Sequence, residues 1–338
     1  MGIFVAVILL PISLILLRLG LAWFNALLGL DFKPISYDTL WWFLVRVKPQ
    51  AFKNLMARWL QALPASLRDQ LLSIDGKRLR GVSDNEHISH LVELFAVGPC
   101  LVIAQERVPD KKCECIALPQ LLQTVDIRGA IISLDAHYAY VPDLKLILKE
   151  GADYIVGIKG NQGTLEAEAH NYFTQAAEIG YEDETLQCYT TVDKGHGRIE
   201  IHHICVTQDL EWLKQKEEWN LKSLIEIRRE HISGKQVEKG VLYYGSSREG
   251  TPQQFAKWIR GHWEIESMHY VMDVVFEEDN SLANTGHTAE NMGLFRRLAL
   301  NIIKTVDPKR EVADARRNAA YEPAYLRGIL SRLFMKNC

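Results

Sequence analysis

Residues 129 to 160 read GAIISLDAHYAYVPDLKLILKEGADYIVGIKG. A short apolar run ends at Asp135. Pro142 then opens a segment with leucine and isoleucine at helical spacing, Gly151 closes it, and a second apolar run, DYIVGI, follows. Strand, helix and strand in immediate succession are the unit of an α/β core. Upstream, LLSIDGKRLRGV and HLVELFAVGPCLVIAQERV alternate apolar and polar residues between turns, as consecutive strands of one sheet do, and CIALPQLLQTV fits a helix. Before them, Ser36 to Leu63 repeats apolar residues at three- and four-residue steps, with Pro49 dividing two helices. Downstream, residues 185 to 245 contain IEIHHICVT, SLIEIRREHI and GVLYYGSS, which read as a β-rich insertion. Helices follow over Pro252 to Phe276 and Thr288 to Thr305, the first opened by Thr251 as N-cap with Pro252 at the first helical position.

Composition is that of an ordinary globular chain: 338 residues, 48% hydrophobic, with 39 basic against 42 acidic residues. The net charge of −3 hides an uneven distribution. Arg46 to Arg80 holds eight basic and two acidic residues, and Arg296 to Lys336 ten and four, so two basic regions flank an acidic middle. Such clusters permit a polyanionic partner without requiring one. The six cysteines are scattered without paired zinc-site spacing and read as reduced thiols. The run IFVAVILLPISLILL, Ile3 to Leu17, admits buried helices or a membrane anchor. At 15 residues it falls short of the roughly 20 that span a bilayer, and the lack of a basic leader and cleavage site argues against a secretory signal.

A carboxylate at the end of an apolar strand is costly unless it is hydrogen-bonded, ion-paired or metal-bound. Asp75 in LLSIDGK and Asp135 in AIISLDAH both stand there. A turn-forming role explains either one, but two in neighbouring strands are harder to dismiss. The segment GHWEIESMHYVMDVVFEED, residues 261 to 279, supplies a third position. Helical phase puts His262, Glu266, His269 and Asp273 on one face and Ile259, Trp263, Tyr270 and Val274 on an adjoining stripe expected to pack against a sheet. Glu266 is the acid best placed to meet the aspartates, Asp273 its nearest competitor, and Glu277, Glu278 and Asp279 read as solvent-facing or structural. Two aspartates and a glutamate form a hard oxygen donor set suited to Mg²⁺ or Mn²⁺, and a pair of such ions serves phosphodiester chemistry.

The motifs SIDGKRLRG, SLDAH, GADYIVGIKGNQ, GHGRIE and HWEIESMHYVMDVVFEED occur in that order, and in them the chain resembles the DDE transposases of bacterial insertion sequences, in the branch that includes the H-repeat-associated proteins. The resemblance implies an α/β, RNase H-like mixed sheet flanked by helices, with a β-rich insertion before the last catalytic helix. It makes Asp75, Asp135 and Glu266 both the catalytic residues and the metal ligands, with two Mg²⁺ or Mn²⁺ ions as cofactor. The wider signature of related transposases, with Tyr, Arg and Lys around the glutamate, is absent; Ile259, His262 and Asp273 stand there instead. Lys77 and Arg78 beside the first aspartate, Lys159, Asn161 and Gln162 of KGNQ, His196 and Arg198 of GHGRIE, and His262 and His269 are the candidates for contact with DNA.

The chain accordingly divides into an apolar segment (1–34), a helical region (35–68), the first part of the catalytic core (69–180), the β-rich insertion (181–250), the catalytic helix and end of the core (251–305), and a basic helical tail (306–338). The resemblance implies a bacterial, cytoplasmic, nucleoid-associated transposase that acts as a homodimer on paired inverted repeats and joins them to target DNA. Family members carry a longer, polar-interrupted helical region before the first aspartate, so residues 1–34 fit a truncated or frame-shifted copy. The rival readings are an inactive remnant and a membrane-anchored protein of unrelated role.

Overall fold

The computed structural model describes residues 20–23, 25–26, 31, 33–34, 36–63, 67–81, 89–181, 185–195, 198–234, 236–283 and 285–335. Ile3 to Leu17 lies outside them, and among the described residues no helix is long and apolar enough to cross a membrane. The chain separates into two compact units, one of residues 1–65, 76–117 and 266–338, the other of 66–75 and 118–265. Strand β1 (Leu71–Leu79) contributes to both.

In the first unit, α1 (Tyr37–Arg46) and α2 (Pro49–Gln61) are separated where Pro49 opens the second helix. Strands β2 (Ser89–Ala96) and β3 (Leu101–Val108) pair antiparallel, in the order β3-β2-β1. Helix α9 (Thr288–Val306) buries thirteen residues, which makes it the centre of this core. Phe295 packs on Phe52 of α2 with ring centroids 4.4 Å apart, and the helix carries two fully buried asparagines. Asn291 Nδ2 donates to the carbonyls of Leu44 (2.8 Å) and Val47 (2.9 Å), taking up acceptors that the end of α1 leaves open.

Asn301 treats β3, the last strand in the order, as a neighbouring strand would: it accepts from Val102 N–H at 2.8 Å and donates to Val102 C=O at 2.7 Å. The edge of the sheet is closed by an amide in place of another strand. Asn301→Leu leaves both backbone groups buried without partners, at about 1–3 kcal/mol each. Urea unfolding is expected to show a lower midpoint and an unfolding free energy reduced by that amount. Two further helices, α10 (Val312–Tyr321) and α11 (Pro323–Met335), complete this unit.

In the second unit, the first half of β1 pairs parallel with β4 (Ile131–Leu134), and β4 parallel with β5 (Asp153–Ile158). After β5 come the long antiparallel strands β9 (Gln236–Ser246), β8 (Ser223–Ser233), β7 (Arg198–Thr207) and β6 (Leu186–Gly195). Helices α4 (Val141–Lys149), α5 (Gly163–Glu178), a short α6 (Lys216–Trp219) and α7 (Pro252–His262) stand between or after these strands, while α3 (Glu114–Gln123) begins in the first unit and ends in this one. This is the RNase H-like class expected, a mixed sheet flanked by helices with a β-rich insertion before the last helices of the core. Thr251 caps α7 as expected, within a full capping box with Gln254.

Two expectations are corrected. The helix expected over Pro252 to Phe276 is two helices, α7 and α8 (Glu264–Val274), with Trp263 between them. Trp263, Tyr270 and Val274 are about half exposed or more, while Ile265, Met268, Met272 and Phe276 are buried. The segment holds two apolar stripes, and the interruption at Trp263 breaks the phase that made the bulkier one the packing face. The second concerns the cysteines: Cys188 and Cys205 are joined in a disulfide, because the β6–β7 register sets them directly opposite, which scattered spacing did not reveal.

Candidate active site

In the second unit the parallel register runs Leu71↔Ile131, Leu72↔Ile132, Ser73↔Ser133 and Ile74↔Leu134. Asp75 and Asp135 are the next residues along the two chains, so they lie side by side where β4 ends; β1 continues to Leu79, so Asp75 stands inside its strand and not, as expected, at its end. Side chains alternate along a strand, which puts both carboxyls on the same sheet face as Ser73 and Ser133. Those serines are buried and hydrogen-bonded to each other at 2.9 Å, and Ser133 Oγ lies 3.0 Å from Nδ1 of His262 at the end of α7. Burial holds His262 below the usual imidazole range, against the opposing pull of the Asp135 charge. A neutral His262 thus ties α7 to the strand that ends in Asp135.

Asp135 does form a turn, as the simpler reading allowed. Its Oδ1 accepts from Ala136 N–H at 2.7 Å and caps the single turn Ala136–Tyr138. The same oxygen accepts from Lys159 Nζ at 3.1 Å. Burial opposes ionisation of this carboxyl, but Lys159, the Ala136 amide and His262 outweigh it and hold its pKa below the ordinary value. The rest of KGNQ supports that turn: Asn161 Nδ2 donates to Ala136 C=O at 2.6 Å and Gln162 Nε2 to Ala139 C=O at 2.5 Å. Gly157 on β5 lets the turn approach closely, since a Cβ there would stand 3.2 Å from the Ala136 nitrogen. Tyr244 on β9 feels the site as well: burial, then the Asp135 charge, push its hydroxyl up to about 12, so it stays protonated. Nothing in the sequence singled out Ser73, Ser133 or Tyr244, because their roles depend on strands far apart in the chain.

The first unit holds Glu266 and a network of buried charge. Glu266 is exposed on α8. His269 and Asp273, farther along that helix, are engaged: His269 Nε2 lies 3.0 Å from Glu93 Oε2, and Asp273 pairs with Lys77. Lys77, two residues after Asp75 on β1, also donates to Glu278 at 2.9 Å. Glu278 is buried and structural, and at its centre the network has Arg297, fully buried on α9. The guanidinium donates to Glu93 at 2.7 and 3.2 Å and to Glu278 at 2.9 Å, with a second, closer contact to Glu278. Burial works against ionisation of Glu93 and Glu278, yet Arg297 holds both well below the usual carboxylate range. Glu93 and Arg297 were missed in the sequence, although a charge inside an apolar strand and another inside an apolar helix were the available signal.

Of the remaining candidates, Arg78 is exposed on β1, Arg198 opens β7, and His196 lies outside the described residues. The described chain thus brings Asp75 and Asp135 together with a supporting turn, and places Glu266 on a helix tied to β1 and β2 by buried ion pairs.

Comparison with known sequences gives the class and the family of the protein. The transposase DDE domain matches residues 68–302, and the chain belongs to that family. It is 32% identical over 309 residues to the "Putative protein YbfL" of Escherichia coli K12, and 31% identical over 309 residues to the "H repeat-associated putative transposase YhhI" of the same strain. Each match covers 87% of this chain and 80% of the relative. A solved piggyBac transposase synaptic complex with hairpin DNA is similar at 12% identity and a TM-score of 0.44, over 89% of this chain and 65% of that one. The family makes the protein a transposase of DDE type, and domains of this family generally use divalent metal ions.

Proposed function

We propose that this transposase cuts DNA strands at the inverted ends of its element and joins the freed 3′-hydroxyls to target DNA, with Asp75, Asp135 and Glu266 holding two Mg²⁺ or Mn²⁺ ions. The observation that carries the reading is that Asp75 and Asp135 directly follow the last matched pair, Ile74 and Leu134, of two adjacent parallel strands. The donor set fits: all three side chains offer hard oxygens, and Asp135 is kept ionised, as a ligand must be. When bound, such ions activate the attacking water or hydroxyl and neutralise charge on the leaving oxygen.

The chain's own residues position and exclude. Lys159, Asn161 and Gln162 fix the turn that carries Asp135, and His262 ties α7 to β4. Lys77 and His269 hold α8 through Asp273 and Glu93. Arg78 and Lys159, both exposed, are the residues we assign to DNA phosphates, with His196 and Arg198 of GHGRIE as further candidates. Terminal repeats and target DNA are the proposed partners, a homodimer on paired ends the proposed assembly, and the bacterial nucleoid the proposed location.

The test is a supercoiled plasmid carrying the DNA that flanks the gene. Nicks mapping to the element ends in Mg²⁺ and absent in EDTA are expected; metal-independent nicking, or none at the ends, overturns the reading. Lys159 gives a pH signature. Its charge lowers the Asp135 pKa, so Lys159→Met lets that pKa rise, and the carboxylate is then lost at a higher pH on acidification. The acid limb of the kcat/KM profile is expected to move to higher pH, with the alkaline side unchanged.

A further inference from the structure

Strands β6 and β7 carry a cluster that the phosphodiester chemistry does not use. Cys188 and Cys205 face each other across the two strands with Cα atoms 4.2 Å apart. His203, two residues before Cys205, shares its face of β7. Its Nε2 lies 3.3 Å from Cys205 Sγ, while its Nδ1 lies 2.9 Å from Oγ1 of Thr190, its partner in the register. One ligand atom from each of Cys188, His203 and Cys205 falls within 4.8 Å of the others.

The imidazole is set up as a ligand. In the tautomer whose Nδ1–H donates to the Thr190 hydroxyl, Nε2 offers its lone pair on the side of the sulfurs. An outer oxygen that fixes the tautomer in this way accompanies most metal-binding histidines. Glu226, opposite Cys205 on β8, adds negative charge nearby while its own oxygens are taken by Arg228 at 2.8 and 3.3 Å. Two sulfurs and a nitrogen are soft to borderline donors, unlike the all-oxygen set at Asp75 and Asp135, and they select a different class of ion.

We propose that Cys188, Cys205 and His203 form, when the disulfide is open, a binding site for a thiophilic divalent cation such as Zn²⁺. A dithiol reductant of the cytosolic kind supplies two electrons and two protons to the disulfide, yields two thiols and is itself oxidised to a disulfide. Binding of the cation then releases the two thiol protons to solvent. Zn–S bonds of about 2.3 Å at a tetrahedral angle need the sulfurs to part to roughly 3.8 Å. Three protein ligands leave a fourth position for water. Because the same sulfurs serve both states, disulfide and bound cation exclude each other, and the β-rich insertion acts as a redox-dependent metal site.

The experiment is a Co²⁺ titration of the full-length protein reduced with a phosphine. One equivalent of Co²⁺ is expected to give a thiolate-to-cobalt charge-transfer band that Zn²⁺ abolishes. Cys188→Ser removes the band, Cys113→Ser and Cys115→Ser leave it, and reoxidation of the wild type removes it together with two titratable thiols. Thr190→Val weakens Co²⁺ binding by about 10–100-fold. A fully reduced wild-type protein without the band overturns the proposal, whatever the variants do, and so does a band that survives Cys188→Ser.

Discussion

Asp135→Ala and Glu266→Gln each reduce Mg²⁺-dependent nicking at the element ends by at least about 10²–10³-fold, the loss seen when one preorganised electrostatic contact is removed from a transition state. The two substitutions reach that result differently. Asp135 is both a carboxylate ligand in the proposed site and the cap of the Ala136–Tyr138 turn, so alanine removes charge and local structure together. Asp135→Asn retains an oxygen that can accept from Ala136 N–H, and separates the roles: a fold like the parent's with nicking still lost assigns the defect to the charge. Glu266 is exposed on α8, and Glu266→Gln leaves thermal unfolding unchanged. Asp273, its competitor in the sequence, is paired with Lys77. Asp273→Asn is therefore expected to lower stability and to leave more activity than Glu266→Gln. Nicking by Glu266→Gln equal to the parent's would remove that residue from the mechanism.

Arg297→Met is expected to be the most destabilising single change. The guanidinium is fully buried between Glu93 and Glu278, themselves 0% and 4% exposed, and methionine leaves two carboxylates without their shared cation. Breaking a buried ion pair from one side costs about 3–5 kcal/mol, against a total of roughly 5–15 kcal/mol for a typical protein. The pH dependence identifies the cause. Both glutamates titrate below their ordinary value in the folded parent, so their contribution is complete above the unfolded carboxylate pKa of about 4.3 and is lost as pH falls below it. In Arg297→Met the buried carboxyls favour the protonated form, so the deficit relative to the parent is greatest near neutrality and narrows on acidification. Urea unfolding at pH 7, 5 and 4 measures this; a deficit independent of pH would assign the loss to packing alone.

Much of the architecture was legible because it rests on local pattern. An apolar run that stops at an acid and a turn put Asp135 at the end of its strand, and Thr251 with Pro252 marked the start of α7. Asp75 and Gly76 read as the same kind of end, yet β1 runs on through them to Leu79. What could not be read locally was choice between equivalents and pairing over distance. Residues 261–279 offer two apolar stripes, and periodicity alone does not say that Met268 and Met272 go inside while Tyr270 stays out. Arg297 meets Glu93 across 204 positions of sequence, a contact that only the assembled sheet and α9 create. The amides of Asn161 and Gln162 suggested phosphate contacts, yet in the fold they hold backbone carbonyls of the Asp135 turn. Cys188 and Cys205 acquire meaning only once β6 and β7 are in register.

The most direct test of the central claim is the anomalous scattering of Mn²⁺ in crystals of the protein bound to DNA of its own element end. Two Mn²⁺ peaks are predicted, with Asp75, Asp135 and Glu266 all supplying oxygen ligands. Mn²⁺ bound elsewhere, or bound by the aspartates with Glu266 outside coordination distance, would contradict the account.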